Sequence, residues 1–243
     1  MDNTHYQLLL IHKKWRLLLI VGSLFWVILM LLLYVQSFVP VGDITRDPAT
    51  IAEHPPYYGA LSNLGILLWS ASAAVCFLSA TLLKVIYSRA SVSAFFAIFA
   101  GLSAILCLDD TYQLHEDIFI NSLPGFIIPE QVTISVYAAV VLFAISRFQT
   151  VLQETPLWLF SLSLLLFLVA AGTDYVIPHG LVAAKVTFLI EDGTKLLGIF
   201  FWLTYFFRTS IDLIVAAADS QLSWFTAAQA TTFGPSPSVM KVK

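Results

Sequence analysis

The stretch that decides the fold is SVSAFFAIFAGLSAILCLDDTYQLHED, residues 91–117. Residues 91–108 carry no charge, and an α-helix of this length crosses about 30 Å of hydrocarbon. The remaining residues, 109–117, hold four carboxylates and one histidine. Because charges are costly inside a membrane, this abrupt change indicates a polar site where a membrane-spanning helix reaches the edge of the hydrocarbon.

The rest of the chain has the same apolar character. Of its 243 residues, 59% are hydrophobic and 11% are charged, whereas a soluble domain carries about 25% charged residues. The apolar runs have the length of membrane helices and lack the short alternating pattern of barrel strands. The composition therefore predicts an all-α protein, a polytopic helical bundle integral to the membrane.

Six apolar segments are predicted to cross the membrane, which makes the protein multi-pass. They are residues 16–39, 58–86, 91–108, 129–146, 157–177 and 185–207. This gives three regions along the chain. They are a cytoplasmic N-terminal segment (1–15), a six-helix transmembrane domain (16–208), and a helix extension with a disordered cytoplasmic tail (209–243).

Lysine and arginine residues set the predicted orientation. If the spans alternate, one side of the membrane receives Lys13, Lys14, Arg16, Lys84, Arg89, Arg147 and Arg208. The positive-inside rule assigns that side to the cytoplasm, so both termini are predicted to be cytoplasmic. This pattern does not distinguish the plasma membrane from an internal membrane.

The expected partners follow from the same composition. No basic patch points to nucleic acid, whereas the apolar helices predict contact with membrane lipid and leave other membrane subunits open as partners. The many aromatic residues are interpreted as lipid contacts and interface anchors, for example Trp15, Tyr57, Tyr58 and Trp158.

Carboxylates recur at one predicted depth. Counting 1.5 Å per residue from the cytoplasmic end of each span places four of them at about 26 to 30 Å. The four are Asp109, Glu130, Asp174 and Glu191, and Asp110 follows directly after the first. This depth is the non-cytoplasmic edge of the hydrocarbon, so we predict a polar site shared by several helices.

Helical spacing groups the polar residues that follow the third span. Asp109, Tyr112, Gln113 and Glu116 stand at i, i+3, i+4 and i+7, which is one face of a helix that continues through them. Since polar side chains in membrane bundles face the interior, this face is predicted to line the shared site.

A lysine lies deep in the last span. Lys195 follows Glu191 by four residues, which is the favourable order for an ion pair on a helix. It is predicted to lie about 20 Å above the cytoplasmic boundary, where it needs a carboxylate partner or must lose its proton. The pair is interpreted either as a structural contact or as part of a proton relay. Gly193 and Gly198 are predicted to allow close approach by another helix.

The polar layer also contains metal-ligand types. Carboxylates and histidines suit a divalent ion such as zinc, iron or manganese. The candidate ligands are His115, Glu116, Asp110, Asp174, His179 and Glu191. No Glu-x-x-His or His-Glu-x-x-His pair places two ligands on one helical face, so the sequence leaves a metal site and a polar network as alternatives.

Two functional hypotheses follow from the polar layer. One is a metal-dependent membrane enzyme that acts on a lipid or another hydrophobic substrate, with acid, base or ligand roles for Asp109, Asp110, Glu116, Asp174, Glu191 and Lys195. The other is a non-enzymatic subunit of a membrane complex, or a small proton or cation transporter that uses Glu191 with Lys195 and Asp109 with Asp174. No paired half-repeat is visible, which favours a subunit over a transporter.

Overall fold

The computed structural model describes residues 3–114, 129–176 and 184–232, and the regular secondary structure in these ranges is α-helical. The predicted all-α class is therefore confirmed. The helices are α1 (Asn3–Val35), α2 (Val41–Thr45), α3 (Pro48–Ile51), α4 (Ala60–Val85), α5 (Ala90–Tyr112), α6 (Glu130–Arg147), α7 (Gln149–Gln153), α8 (Leu157–Val176) and α9 (Ala184–Thr232). The chain divides into a first unit, Met1–Tyr58, and a second unit, Gly59–Lys243.

Within the described ranges, four helices are long and apolar enough to cross a membrane. They are α4, α5, α6 and the Leu189–Ser220 part of α9. Shorter apolar stretches occupy Leu19–Val35 of α1 and Leu157–Thr173 of α8. The architecture is thus the predicted helical membrane bundle, while the number of six crossings and the cytoplasmic termini stay predictions.

The first unit consists of a long apolar helix followed by two short ones. The side chains described on α1, from Leu17 onward, are exposed or half-buried in this chain, as is typical of a helix that contacts lipid. α3 begins at an N-cap, because the Asp47 carboxylate accepts hydrogen bonds from the backbone N–H groups of Ala49 and Thr50.

The second unit is built around α4, which packs between α5 and α9, while α9 also packs on α8. Its centre is an aromatic core of fully buried side chains from α5, α8 and α9. The aromatic core comprises Phe95, Phe96, Phe99, Phe160, Trp202 and Phe206. Neighbouring rings interlock, mostly edge to face or tilted, with centroid distances of 4.8 Å for Phe99 and Phe206 and 5.5 Å for Phe99 and Trp202.

α8 and α9 approach each other closely at Gly198. A Cβ atom at this position would lie 2.7 Å from the Phe167 ring, so only glycine allows the observed approach without a shift. The Ser163 hydroxyl donates a hydrogen bond to the Gly198 carbonyl at 2.8 Å. The predicted close approach is confirmed for Gly198, while for Gly193 it stays a prediction, because a Cβ there would have no neighbour within 4 Å among the described residues.

α5 ends where the predicted polar face would have continued. Gln113 adopts a left-handed backbone conformation with φ 50°, and its N–H donates to the Asp109 carbonyl. The exposed fraction is 60% at Tyr112 but 2% at Asp109. The prediction of one buried face through Tyr112 and Gln113 was wrong, because the helix stops and the chain turns; Glu116 lies outside the described residues.

α9 runs well past the predicted end of the last span at Phe207. It comprises 49 residues, about 74 Å of helix at 1.5 Å per residue. Contacts with the α4–α5 hairpin extend along it, since Ser79 and Ser210 share a hydrogen bond of 2.7 Å and the Arg89 guanidinium donates to the Ser220 hydroxyl at 3.2 Å. The last helix therefore remains packed beyond Arg208.

Candidate functional site

Three side chains from three helices meet at the end of the second unit where α5 terminates. The Lys195 ammonium on α9 lies 2.8 Å from Oδ1 of Asp110 on α5. The Trp69 indole N–H on α4 donates to Oδ2 of the same carboxylate at 2.9 Å. We call Trp69, Asp110 and Lys195 the clamp, because they join α4, α5 and α9 through both oxygens of one carboxylate.

The clamp is only partly shielded from its surroundings. The exposed fraction is 11% for the Asp110 side chain and 38% for the Lys195 side chain. A carboxylate this far removed from water needs donors within the protein, and the ammonium and indole groups provide two of them. The lysine reaches the carboxylate from the more open side of the site.

Trp69 ties the clamp to the aromatic core. Its ring stacks on Phe167, with centroids 5.7 Å apart, and meets Trp202 edge to face at the same distance. Trp202 in turn donates its indole N–H to the Ser103 hydroxyl at 3.0 Å. Each of the two buried indoles thus has an acceptor on α5, which fixes the rings that connect the clamp with the core.

Asp109 lies next to the clamp in sequence and faces α6. Its side chain is buried, and the Tyr137 hydroxyl on α6 is close enough to Asp109 and Asp110 to interact with both carboxylates electrostatically. The residues that α6 buries are Thr133 and Ala144. Tyr137 therefore links a largely exposed helix to the polar end of the bundle.

Of the six candidate catalytic residues, Asp110 and Lys195 are in contact in the structure. Asp109 precedes Asp110 on the same helix. Glu191 is half-buried one turn before Lys195 on α9, and its predicted pairing with that lysine stays a prediction. Glu116 lies outside the described residues, and so does the side chain of Asp174.

Most of the predicted metal ligands lie in the part of the chain that is not described. This holds for His115, Glu116 and His179 and for the side chain of Asp174. Among the side chains that are described, no group of three or more His, Cys, Asp or Glu residues could hold a metal ion. A zinc, iron or manganese site stays a prediction.

Trp69 is the member of the clamp that sequence analysis missed, because aromatic residues were interpreted as lipid contacts and interface anchors. One signal was available. Trp69 stands well inside its span, away from both predicted interfaces, and an indole N–H in that position needs an acceptor within the protein. A carboxylate on a neighbouring helix is such an acceptor.

The apolar helices and the clamp define the class of the protein as a helical membrane bundle with a partly buried charge pair. The chain matches the family described as a domain of unknown function (DUF8692) over residues 17–209, and it belongs to that family. The matched region includes all members of the clamp and of the aromatic core. No curated protein and no solved structure gives a significant match.

Proposed function

We propose that the protein is a non-enzymatic, multi-pass subunit of a membrane complex, and that its second unit is a rigid scaffold held at one end by the clamp. The closed contact of Asp110 with both Lys195 and Trp69 carries this proposal. Because both carboxylate oxygens already accept strong bonds from the protein, the arrangement serves helix packing better than the capture of a ligand.

The aromatic core supports a scaffold over a transporter. A path for protons or cations through the second unit would need polar side chains or water to continue from the clamp along the bundle axis. Trp202, Phe99 and Phe206 follow the clamp instead, and their rings are fully buried and interlocked. Rings packed in this way fill the space next to the clamp, which supports a packed interior there over an open path.

The contribution of the clamp to the free energy of unfolding depends on whether both charges of the pair are present. Removing Lys195 alone leaves the largely buried Asp110 carboxylate without its cation. Loss of one partner of a fully buried pair costs about 3 to 5 kcal/mol, and the exposure of the lysine reduces our expectation to about 2 kcal/mol. Removing both charges together eliminates the uncompensated carboxylate, so the double variant should be more stable than the single one.

The proposal is tested with two variants and a matched control. Lys195→Met removes the ammonium, Lys195→Met with Asp110→Asn removes the pair, and Lys84→Met removes an exposed lysine at the end of α4. Each tagged chain is purified from its native membranes in mild detergent. Assembly is measured by native gel and mass spectrometry of the complex, and stability by thermal denaturation.

If the protein is a subunit, we expect the unsubstituted chain and the Lys84→Met control to purify in a complex of fixed stoichiometry. Lys195→Met should lose most of that complex, and the double variant should recover it. Purification of the unsubstituted chain as a free monomer would contradict the proposal. So would proton or cation flux in proteoliposomes that both Lys195 variants abolish, because that result identifies the pair as a relay.

A further inference from the structure

The connecting segment, residues 36–58, follows α1 and contains α2 and α3. It carries large apolar and aromatic side chains that are exposed in the first unit, among them Phe38 with 94% of its surface accessible. The others are Val39, Val41, Ile44, Ile51, Tyr57 and Tyr58. The segment exposes much more apolar surface than a loop in water normally does. We therefore expect a partner that covers this apolar surface.

Many backbone polar groups of the connecting segment are bonded within the segment itself. The Gln36 side chain accepts hydrogen bonds from the N–H groups of Phe38 and Val39 and donates one to the Val39 carbonyl. The Asp47 carboxylate caps α3, and the His54 N–H donates to the Ala49 carbonyl at 2.9 Å. Local pairing of this kind lowers the cost of moving backbone out of water.

α2 separates apolar from charged side chains. Val41 and Ile44 stand three residues apart and share one face, while Asp43 lies on another face and the charged Arg46 follows directly as the C-cap. All four side chains are exposed. The short helix therefore offers one face suited to acyl chains and one suited to water and lipid headgroups.

We infer that the connecting segment lies in the lipid interface, where Val41 and Ile44 point towards the acyl chains and Asp43 and Arg46 towards water. The chain itself favours lipid as the partner, since the apolar stretch of α1 ends at Val35 directly before the segment and the membrane-length α4 begins directly after it. Each end of the segment thus adjoins an apolar helix. Tyr57 and Tyr58 match the aromatic belt of membrane interfaces.

The inference is tested by the depth of single fluorescent labels in the full chain. Ile44→Cys and the adjacent Asp43→Cys are each labelled with bimane, and Val41→Cys provides a second position on the apolar face. The unsubstituted chain gives the background from its own cysteines, of which Cys76 is fully buried. Labelled proteins are placed in phosphatidylcholine nanodiscs and quenched with nitroxide-bearing acyl chains or with aqueous iodide.

Labels at 41 and 44 should be quenched by the lipid nitroxide about threefold more strongly than the label at 43, and iodide should show the opposite order, since an interfacial helix buries only its apolar face. Equal quenching at all three positions would overturn the inference. Protection of positions 41 and 44 from both quenchers would also overturn it, because a protein surface would then cover the apolar face.

Discussion

The aromatic core and the clamp are neighbours in the second unit, yet different forces hold them together. In the aromatic core, six interlocked rings fill the bundle axis and act through shape and dispersion. In the clamp, one carboxylate accepts two directional bonds near a partly exposed lysine. Because lipid provides no hydrophobic drive for helix association, the aromatic core depends on close packing and the clamp depends on charge.

The largest effect should come from Trp202→Ala. Trp202 contacts Trp69 and Phe167 near the clamp as well as three rings of the core, and it donates to Ser103. Its removal leaves a cavity, and we expect a loss of about 3 to 5 kcal/mol in thermal denaturation of the purified protein. The control is Trp158→Ala, a side chain that is 66% exposed. Equal losses for the two variants would show that the core rings are not what holds the unit together.

A smaller effect is expected from Gly198→Ala, at the contact between α8 and α9 beneath the clamp. The new methyl group would lie 2.7 Å from the Phe167 ring, so that ring or the helix must move. Overpacking of this size costs about 1 to 3 kcal/mol. The matched control is Gly193→Ala on the same helix, where none of the described residues lies within 4 Å of the new methyl group. If both variants keep the melting temperature of the parent, the two helices can separate without loss, and shape complementarity is not the main constraint here.

The smallest effect should follow Trp69→Phe, which keeps a ring against Phe167 and Trp202 but removes the donor to Asp110. The carboxylate still has Lys195, so we expect a loss of about 1 kcal/mol, the scale of a single hydrogen bond between membrane helices. Trp158→Phe is the control, and the measurement is again thermal denaturation in the same detergent. A loss as large as that of Trp202→Ala would remove the distinction between the two regions.

The sequence was sufficient to locate most of the long helices. The predicted spans 58–86 and 157–177 correspond to α4 (Ala60–Val85) and α8 (Leu157–Val176) within a few residues. This agreement has a physical cause, because an apolar run in lipid must satisfy its backbone internally and a helix does so at any point along the run. The end of α5 was not predictable in this way, since Gln113 is not a residue type that usually adopts a left-handed conformation.

The contact of Lys195 with Asp110 shows what helical spacing leaves undetermined. Spacing along one helix predicted a pair of Lys195 with Glu191, which stays a prediction, and counting residues from Arg208 placed the lysine about 10 Å below Asp109. α9 continues through Arg208, so that residue does not mark the end of the helix or a boundary of the bundle. The contact with Asp110 depends on the relative register of α5 and α9, which the packing of Trp202 against Ser103 fixes and which no local pattern reveals.

The length of α9 has a mechanical consequence. The α4–α5 hairpin holds α9 as far as Ser220, so the helix does not pivot at the clamp. From Ser220 to Thr232 it extends about 18 Å further, and a rotation of about 5° at Ser220 would displace its end by roughly 2 Å. A small adjustment around the Asp110 carboxylate is therefore absorbed by this packing before it reaches the far end of the helix.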